Sequence, residues 1–383
     1  MQWFMFMGNN YRSWVEIDLD VLVSNLRIYK GKLRENTEIM AVVKADAYGH
    51  GDLEITKCLS THGVRYFAVS NIDEAVGLRL NGFGGEILIL GYTPTGRLVD
   101  VYKHNITQTL LSEEYAKAAV ASGYPIKCQF AIDTGMRRIG LNADDLLYCE
   151  NVIKQYAKRL RLNGLFTHLC VADGSDEASV DFTREQIYKF KSVANSVRDL
   201  CLPYIHYQNS AGGLFHFIES SSFVRLGVIL YGLKPGKESV LPQGIKPVMS
   251  WKSVIATVLD LEKGETVSYG RTYKAKRRMK IAAVPTGYAD GYSRLLSNKG
   301  YVLVNGKVAP IVGQICMDQM LIDVSEIPDV KLETEVVLLG RSGSFHITAD
   351  NLADMYGTIG YEVITGVSKR VARIYHQSPS PLI

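Results

Sequence analysis

The chain has 383 residues, 47% hydrophobic and 21% charged, and its 43 basic and 39 acidic residues leave a net charge of +4. That length suits two domains, or one barrel with a smaller companion, and the composition is that of an ordinary globular protein. The near balance of charge, without a basic run interleaved with aromatics, argues against nucleic-acid binding, and no apolar stretch reaches the roughly 18–20 residues that span a bilayer.

Residues 1–7 are apolar and aromatic, but they are too short to span and lack a basic leader region. They read as a leader or first strand; a cut made just after the membrane segment of a longer protein is the other reading. From about residue 14 to 232 a short apolar run repeatedly ends in polar or glycine residues, and a helical segment follows. The runs are 39–43, 66–69, 87–90, 107–111, 128–132, 162–166, 204–207 and 223–226, rich in β-branched and aromatic residues as strands are. One intervening segment, 112–122, opens with Ser112 as a cap, continues in acids and then in helix formers. Eight such units predict an α/β fold, a TIM-type (β/α)8 barrel, with a doubly wound open sheet as the competitor. After about residue 240 the runs 254–258, 280–284, 300–304, 307–312, 321–324 and 335–339 follow one another through short turns, and Asn305-Gly306 is a strong hairpin signal. A helix follows at 347–356. This part predicts a mostly antiparallel β domain. The expected division is a barrel over 12–240 and a β domain over 241–376, with residues 1–11 packing with the latter. The six cysteines (Cys58, Cys128, Cys149, Cys170, Cys201, Cys316) include no CxxC pair and read as reduced thiols of a cytoplasmic protein.

Barrel enzymes place their catalytic groups where strands end. Lys44, Asp46, Tyr48 and His50 follow the first strand, Asp133 and Arg138 the fifth, Thr167 and His168 the sixth, His206, Asn209 and Ser210 the seventh, and Arg225 and Gly227 the eighth. A lysine continuing a buried strand is the most informative of these, because burial lowers an ammonium pKa and frees the amine for Schiff-base chemistry. A strand-end lysine reaching solvent is the plainer reading.

The stretch Lys44-Ala-Asp-Ala-Tyr-Gly-His-Gly51 resembles the cofactor-lysine motif of the alanine racemases, pyridoxal-phosphate enzymes of fold-type III. Asp133-Thr-Gly-Met-Arg-Arg138, Thr167-His168, His206-Tyr-Gln-Asn-Ser-Ala211, Arg225-Leu-Gly-Val-Ile-Leu-Tyr-Gly232, Ser268-Tyr-Gly270, Gly287-Tyr-Ala-Asp-Gly291, Cys316-Met-Asp318 and Gly360-Tyr-Glu362 resemble further landmarks of that family, in its order. The resemblance implies a homodimer with shared sites and pyridoxal 5'-phosphate held by Lys44. It implies Lys44 and Tyr269 as opposed bases, with His168 supporting the tyrosine across the subunit boundary. Arg225 would face the pyridine nitrogen. Tyr48, Ser210, Tyr361 and the backbone at Gly227 and Val228 would bind the phosphate, with His206 and Asn209 also in the cofactor set. Arg138, Met317 and Tyr288 would meet the substrate, and Asp318 would support them. No metal is expected. The implied activity is interconversion of L- and D-alanine, supplying D-amino acid for peptidoglycan. Three other readings are a serine or dual serine/alanine racemase of a vancomycin-resistance membrane protein, a non-catalytic pyridoxal-phosphate-binding protein, and a related decarboxylase. The sequence departs from the family where many members carry a carbamylated lysine that partners the arginine mapped to Arg138: here that position is Ala131, and Arg137 precedes Arg138. A partly buried, unpaired Arg138 balanced by chloride or water is therefore expected, in a pocket polar enough to admit serine.

Overall fold

The computed structural model describes residues 11–34, 37–216 and 221–378, in two compact units. One unit spans residues 23–47 and 51–245. Its parallel strands Glu38–Val42, Tyr66–Val69, Glu86–Ile89, Thr107–Leu110, Lys127–Asp133, Arg161–Phe166 and Tyr204–His206 pair in that order. Gln208–Asn209 then pairs Phe223–Leu226, which pairs back onto Glu38–Val42. This is a nearly closed barrel of nine strand segments. The ninth arises because the seventh expected strand is interrupted at Tyr207, so the eight units read from the sequence are all present.

Local chemistry explains the alternation. The strands are buried on both faces, as parallel strands under helices must be: Phe67, Ile87, Leu110, Phe130 and Leu165 are fully covered. Several helices start at polar caps. Asn71 accepts from the Asp73 and Glu74 amides, and Ser112 accepts from the Tyr115 amide at 3.2 Å, the cap expected from sequence. Such caps contribute about 1 kcal/mol each.

The other unit comprises residues 11–22, 48–50 and 246–378. Its main sheet runs Lys307–Pro310, Tyr301–Val304, Glu335–Ser342, Met249–Val254, Ser13–Asp18, Ala372–His376, antiparallel except for the last pair. Two expectations need correction here. Residues 12–22 belong to this unit and not to the barrel, because Ser13–Asp18 bonds on one edge to Met249–Val254 and on the other to Ala372–His376, burying Val15 and Ile17. The run read at 254–258 is the end of one strand and the start of the next, Thr257–Leu261, which turns away to pair Met279–Val284 in a second sheet. The Asn305-Gly306 turn is as expected: both residues have positive φ, 47° and 72°, and Val304 pairs Lys307 across a two-residue loop. The packing expected of residues 1–11 falls outside the described residues, Tyr11 excepted.

Candidate active site

Lys44 follows the first barrel strand and opens the turn Lys44–Gly49. The turn is left-handed: Ala45, Asp46, Ala47 and Tyr48 have φ of 53°, 56°, 51° and 54°. For L-residues this costs about 1–2 kcal/mol each, so the surroundings must hold it. Glu74 does so at one end, its carboxylate accepting from the Ala45 amide at 2.8 Å and the Ser70 amide at 2.7 Å. Asp46 does so at the other, accepting from the Asp52 amide at 3.1 Å, while Gly51 N–H donates to the Asp46 carbonyl at 2.9 Å. Gly49 continues the left-handed path at φ 82°, where a Cβ would run into the Ile364 carbonyl.

Lys44 lines a cavity of about 350 Å³ at the strand ends together with Ala131, Asp133, Arg138, Thr167 and His168. Burial, reinforced by the Arg138 cation and opposed by Glu74, pushes the Lys44 ammonium below its usual range. His168 is pushed down to about 3 by burial and by the cations Arg225, Arg138 and Lys44, so it is a neutral imidazole. Behind this wall lies Arg225, 3% exposed, donating to the Thr167 carbonyl at 2.7 Å and to His206 Nδ1 at 2.7 Å. Burial, then Arg138, lowers its pKa to about 9, which still leaves a cation at neutral pH.

The remaining barrel residues singled out by sequence are held by local bonds. Asn209 bridges the Leu169 carbonyl and the Gly212 amide. Ser210 Oγ accepts from the Gly227 amide at 3.0 Å, which leaves the hydroxyl proton for another acceptor. Asp133 serves its own turn, accepting from the amides of Gly135 and Arg137. Arg138 differs from expectation. It is exposed in this chain and has no ion pair among the described residues, so it does not carry the desolvation cost of a buried, unpaired guanidinium. Its neighbour Arg137 takes the local partners instead, donating to Asn142 and Asp144.

In the other unit Tyr269 projects from a strained turn. Ser268, Gly270 and Arg271 all have positive φ, and the two-stranded ribbon Thr266–Val267 with Tyr273–Lys274 pinches the base of the turn. Tyr269 is 72% exposed. Tyr288 and Met317 are brought together: Tyr288 N–H donates to the Cys316 carbonyl at 3.1 Å and Ala289 N–H to the Met317 carbonyl at 3.0 Å. The approach requires Gly287, whose Cβ would overlap the carbonyls of Cys316 and Met317. Asp318 accepts from Arg370 at 2.6 Å, and Arg370 also reaches the buried Asp290, which pairs Arg12. Tyr48 and Tyr361 meet edge to face with ring centroids 6.4 Å apart. Burial pushes the Tyr48 phenol up to about 12, so it keeps its proton.

Comparison with known proteins places this arrangement. Residues 17–235 match the alanine racemase N-terminal domain family and residues 248–375 the C-terminal domain family. An alanine racemase of Clostridium tetani is 41% identical over 376 residues, covering 94% of this chain and 95% of its own length, and one of Halothermothrix orenii is 40% identical, with 95% and 96% covered. The chain belongs to the alanine racemase family. Solved structures agree: an alanine racemase of Clostridium difficile 630 aligns with a TM-score of 0.89 at 35% identity, covering 96% of each chain. One from Bacillus anthracis, with bound L-Ala-P, aligns with 0.88 at 34%, covering 96% of this chain and 95% of its own. Membership accounts for the two-part fold, within which Lys44, Arg138 and His168 line one cavity. Glu74, Gln129, Gln186 and Arg370, none of them singled out by sequence, hold the expected residues in place. Gln186, for example, donates to the His168 carbonyl and to Thr134 Oγ1, each at 3.1 Å. Only Glu74, five residues after a strand end and in the first turn of a helix, has a sequence signal, and that signal reads equally as a helix-start acid.

Proposed function

We propose that this chain interconverts L- and D-alanine in the cytoplasm, with pyridoxal 5'-phosphate held by Lys44 and with Lys44 and Tyr269 as the two bases. The observation that carries the reading is Lys44 itself, an amine of lowered pKa on the wall of a strand-end cavity that Arg138 and His168 also line. The donor set fits the cofactor. Tyr48 keeps its phenol proton, Ser210 has a hydroxyl proton to give, and the Val228–Tyr231 turn begins beside it, all suited to a phosphate dianion. Arg225 has no carboxylate partner among the described residues, which fits a neutral ring nitrogen opposite it.

Pyridoxal phosphate supplies an electron sink for the charge left when the Cα–H bond breaks. The residues of the chain supply the rest. Lys44 Nζ, whose ammonium burial pushes below its usual range, takes or returns the α-proton on one face. Tyr269 Oη does so on the other, from a second copy of the chain in a homodimer with shared sites. The exposure of Tyr269 supports that arrangement, because a phenol is a poor base in water and needs a pocket to be tuned. His168, neutral, is the imidazole available to that phenol. Arg138, unpaired, holds the substrate carboxylate; Tyr288 and the Met317 backbone line the approach, and Asp318 positions Arg370 beside them. Arg225 gives no proton readily to a ring nitrogen, which suppresses competing transamination. No helix among the described residues is long and apolar enough to cross a membrane. The product would feed peptidoglycan. The direct test follows loss of optical activity with L-alanine and L-serine side by side. Racemisation of alanine is expected to dominate, and turnover of serine alone, or release of CO₂, would overturn the reading.

A further inference from the structure

Three polar side chains run in line through the barrel interior: Gln129, His206 and Arg225, exposed by 2%, 0% and 3%. Arg225 Nη1 lies 2.7 Å from His206 Nδ1, and His206 Nε2 lies 2.8 Å from Gln129 Oε1. The ring of Phe166 stacks on His206 with centroids 5.3 Å apart, and the Phe223 ring meets it edge-on at 5.4 Å. The arrangement admits one assignment of protons. A guanidinium has donors and no acceptor. Nδ1 of His206 must therefore present its lone pair to Arg225, and the single proton of the neutral ring sits on Nε2. A buried N–H needs an acceptor, and the group that meets it is the side-chain oxygen of Gln129. With the amide turned the other way, two donors would face each other at Nε2, or the ring proton would move to Nδ1 and confront the guanidinium. An imidazolium fails for the same reason, with a second cation 2.7 Å away. The groups that face the ring are neutral apart from Arg225: Gln129 from Lys127–Asp133, Phe166 from Arg161–Phe166, and Phe223, on the same strand as Arg225. No carboxylate bonds either His206 or Arg225 among the described residues.

We propose that Gln129 is a positioning residue of the racemase site: its carbonyl oxygen fixes His206 as the neutral Nε2–H tautomer, and His206 in turn holds the Arg225 guanidinium in the orientation that meets the cofactor ring nitrogen. The tautomer stands on the geometry alone; its catalytic consequence rests on the racemase reading given above. Removing the acceptor strands a buried donor and frees the ring to reverse its proton, which unseats Arg225.

The test is long-range ¹H–¹⁵N correlation on ¹⁵N-histidine-labelled holoenzyme, with the His206 signal assigned by its loss in His206→Asn. Wild-type protein is expected to show a protonated Nε2 and a bare Nδ1 across the neutral pH range. A Nδ1–H ring or an imidazolium would overturn the proposal. Gln129→Met keeps the volume and removes the acceptor; the tautomer signal is expected to lose its single form, with kcat down about tenfold and KM for alanine nearly unchanged. Gln129→Glu keeps an acceptor at the same point and is expected to retain the Nε2–H tautomer, with the Nε2 proton signal moved downfield by the charge-assisted bond. An unchanged His206 signal in both variants, or a changed signal with unchanged kcat in Gln129→Met, would sink the positioning role. If the Met variant does not fold, the wild-type tautomer and the Glu variant decide. A chain that shows the tautomer but does not racemise alanine would count against the function and not against the proton assignment.

Discussion

Lys44 and Tyr269 are assigned the same task, yet one lines the wall of a cavity on a left-handed turn and the other is 72% exposed on a strained turn of the second unit. Around Lys44 everything needed to tune a base lies within its own barrel: burial, the Arg138 cation, and a backbone clamped by Glu74 and Asp46. Around Tyr269 the backbone is fixed but the phenol has no such surroundings. A side chain can thus be made reactive by its own domain or merely aimed by it, and under the proposed mechanism the second kind needs a partner to finish the work.

Breaking the self-sufficient side should have the largest effect. Lys44→Ala is expected to abolish racemisation, by at least about 10³-fold given what a positioned base contributes. Borohydride treatment of the wild-type holoenzyme should leave the cofactor on the peptide that contains Lys44, and trapping on any other lysine would refute the assignment. Tyr269→Phe should also inactivate, by about 10²–10⁴-fold, but this loss should be reparable in a mixture. Subunit exchange with Lys44→Ala chains pairs an intact lysine with an intact tyrosine at one site of each hybrid, recovering up to about a quarter of wild-type activity at statistical exchange. No recovery despite demonstrated exchange would mean that each chain carries a whole site.

A smaller effect separates the two regions by pH. His168, pushed down to about 3, and His206, also held low, stay neutral in the folded barrel but protonate in the unfolded chain near 6.5. The unfolded state therefore binds more protons below about 6.5, and stability falls as pH drops from there towards 3. Denaturant midpoints across that range should decline, and less steeply in His168→Asn; an identical slope would remove His168 from the account. The smallest effect concerns Ala131. Because Arg138 is exposed, Ala131→Lys should alter the serine-to-alanine rate ratio only a few-fold, and halide at constant ionic strength should have little influence. A strong response to either would restore the view that the missing lysine reshapes the pocket.

Much of this was legible in the sequence. The barrel strands announce themselves as short apolar runs, and the Asn305-Gly306 turn and the Ser112 cap are local chemistry that no tertiary contact overrides. Three things were not legible, each for a physical reason. Ser13–Asp18 has the pattern of any half-buried strand, and nothing local says that its partners lie more than 230 residues away. Ala45, Asp46 and Ala47 are ordinary right-handed residues by preference; only the tertiary clamp of Glu74 and Asp46 makes them left-handed. Gln129 sits in an apolar strand run where a glutamine reads as an interruption, and its meaning depends on which ring nitrogen stands opposite. Arg138 lines the cavity yet is exposed, which the sequence does not announce, because burial of a long side chain depends on what neighbours leave open.

The placement of Ser13–Asp18 has a consequence for how the molecule is made. It leaves the ribosome long before its partners: its antiparallel neighbour is Met249–Val254, more than 230 residues on, and its parallel neighbour, Ala372–His376, follows more than 350 residues on. At ordinary elongation rates the second edge waits roughly 20–70 s for its mate. During that time Trp14, Val15 and Ile17 form part of a nascent strand with open hydrogen-bonding edges, the kind of surface that pairs with the wrong chain. The barrel, whose strands pair mostly with their sequence neighbours, can assemble in the meantime. Synthesis thus delivers a finished barrel tethered to an unfinished sheet, and chaperone demand should concentrate on Ser13–Asp18 until Ala372–His376 has emerged.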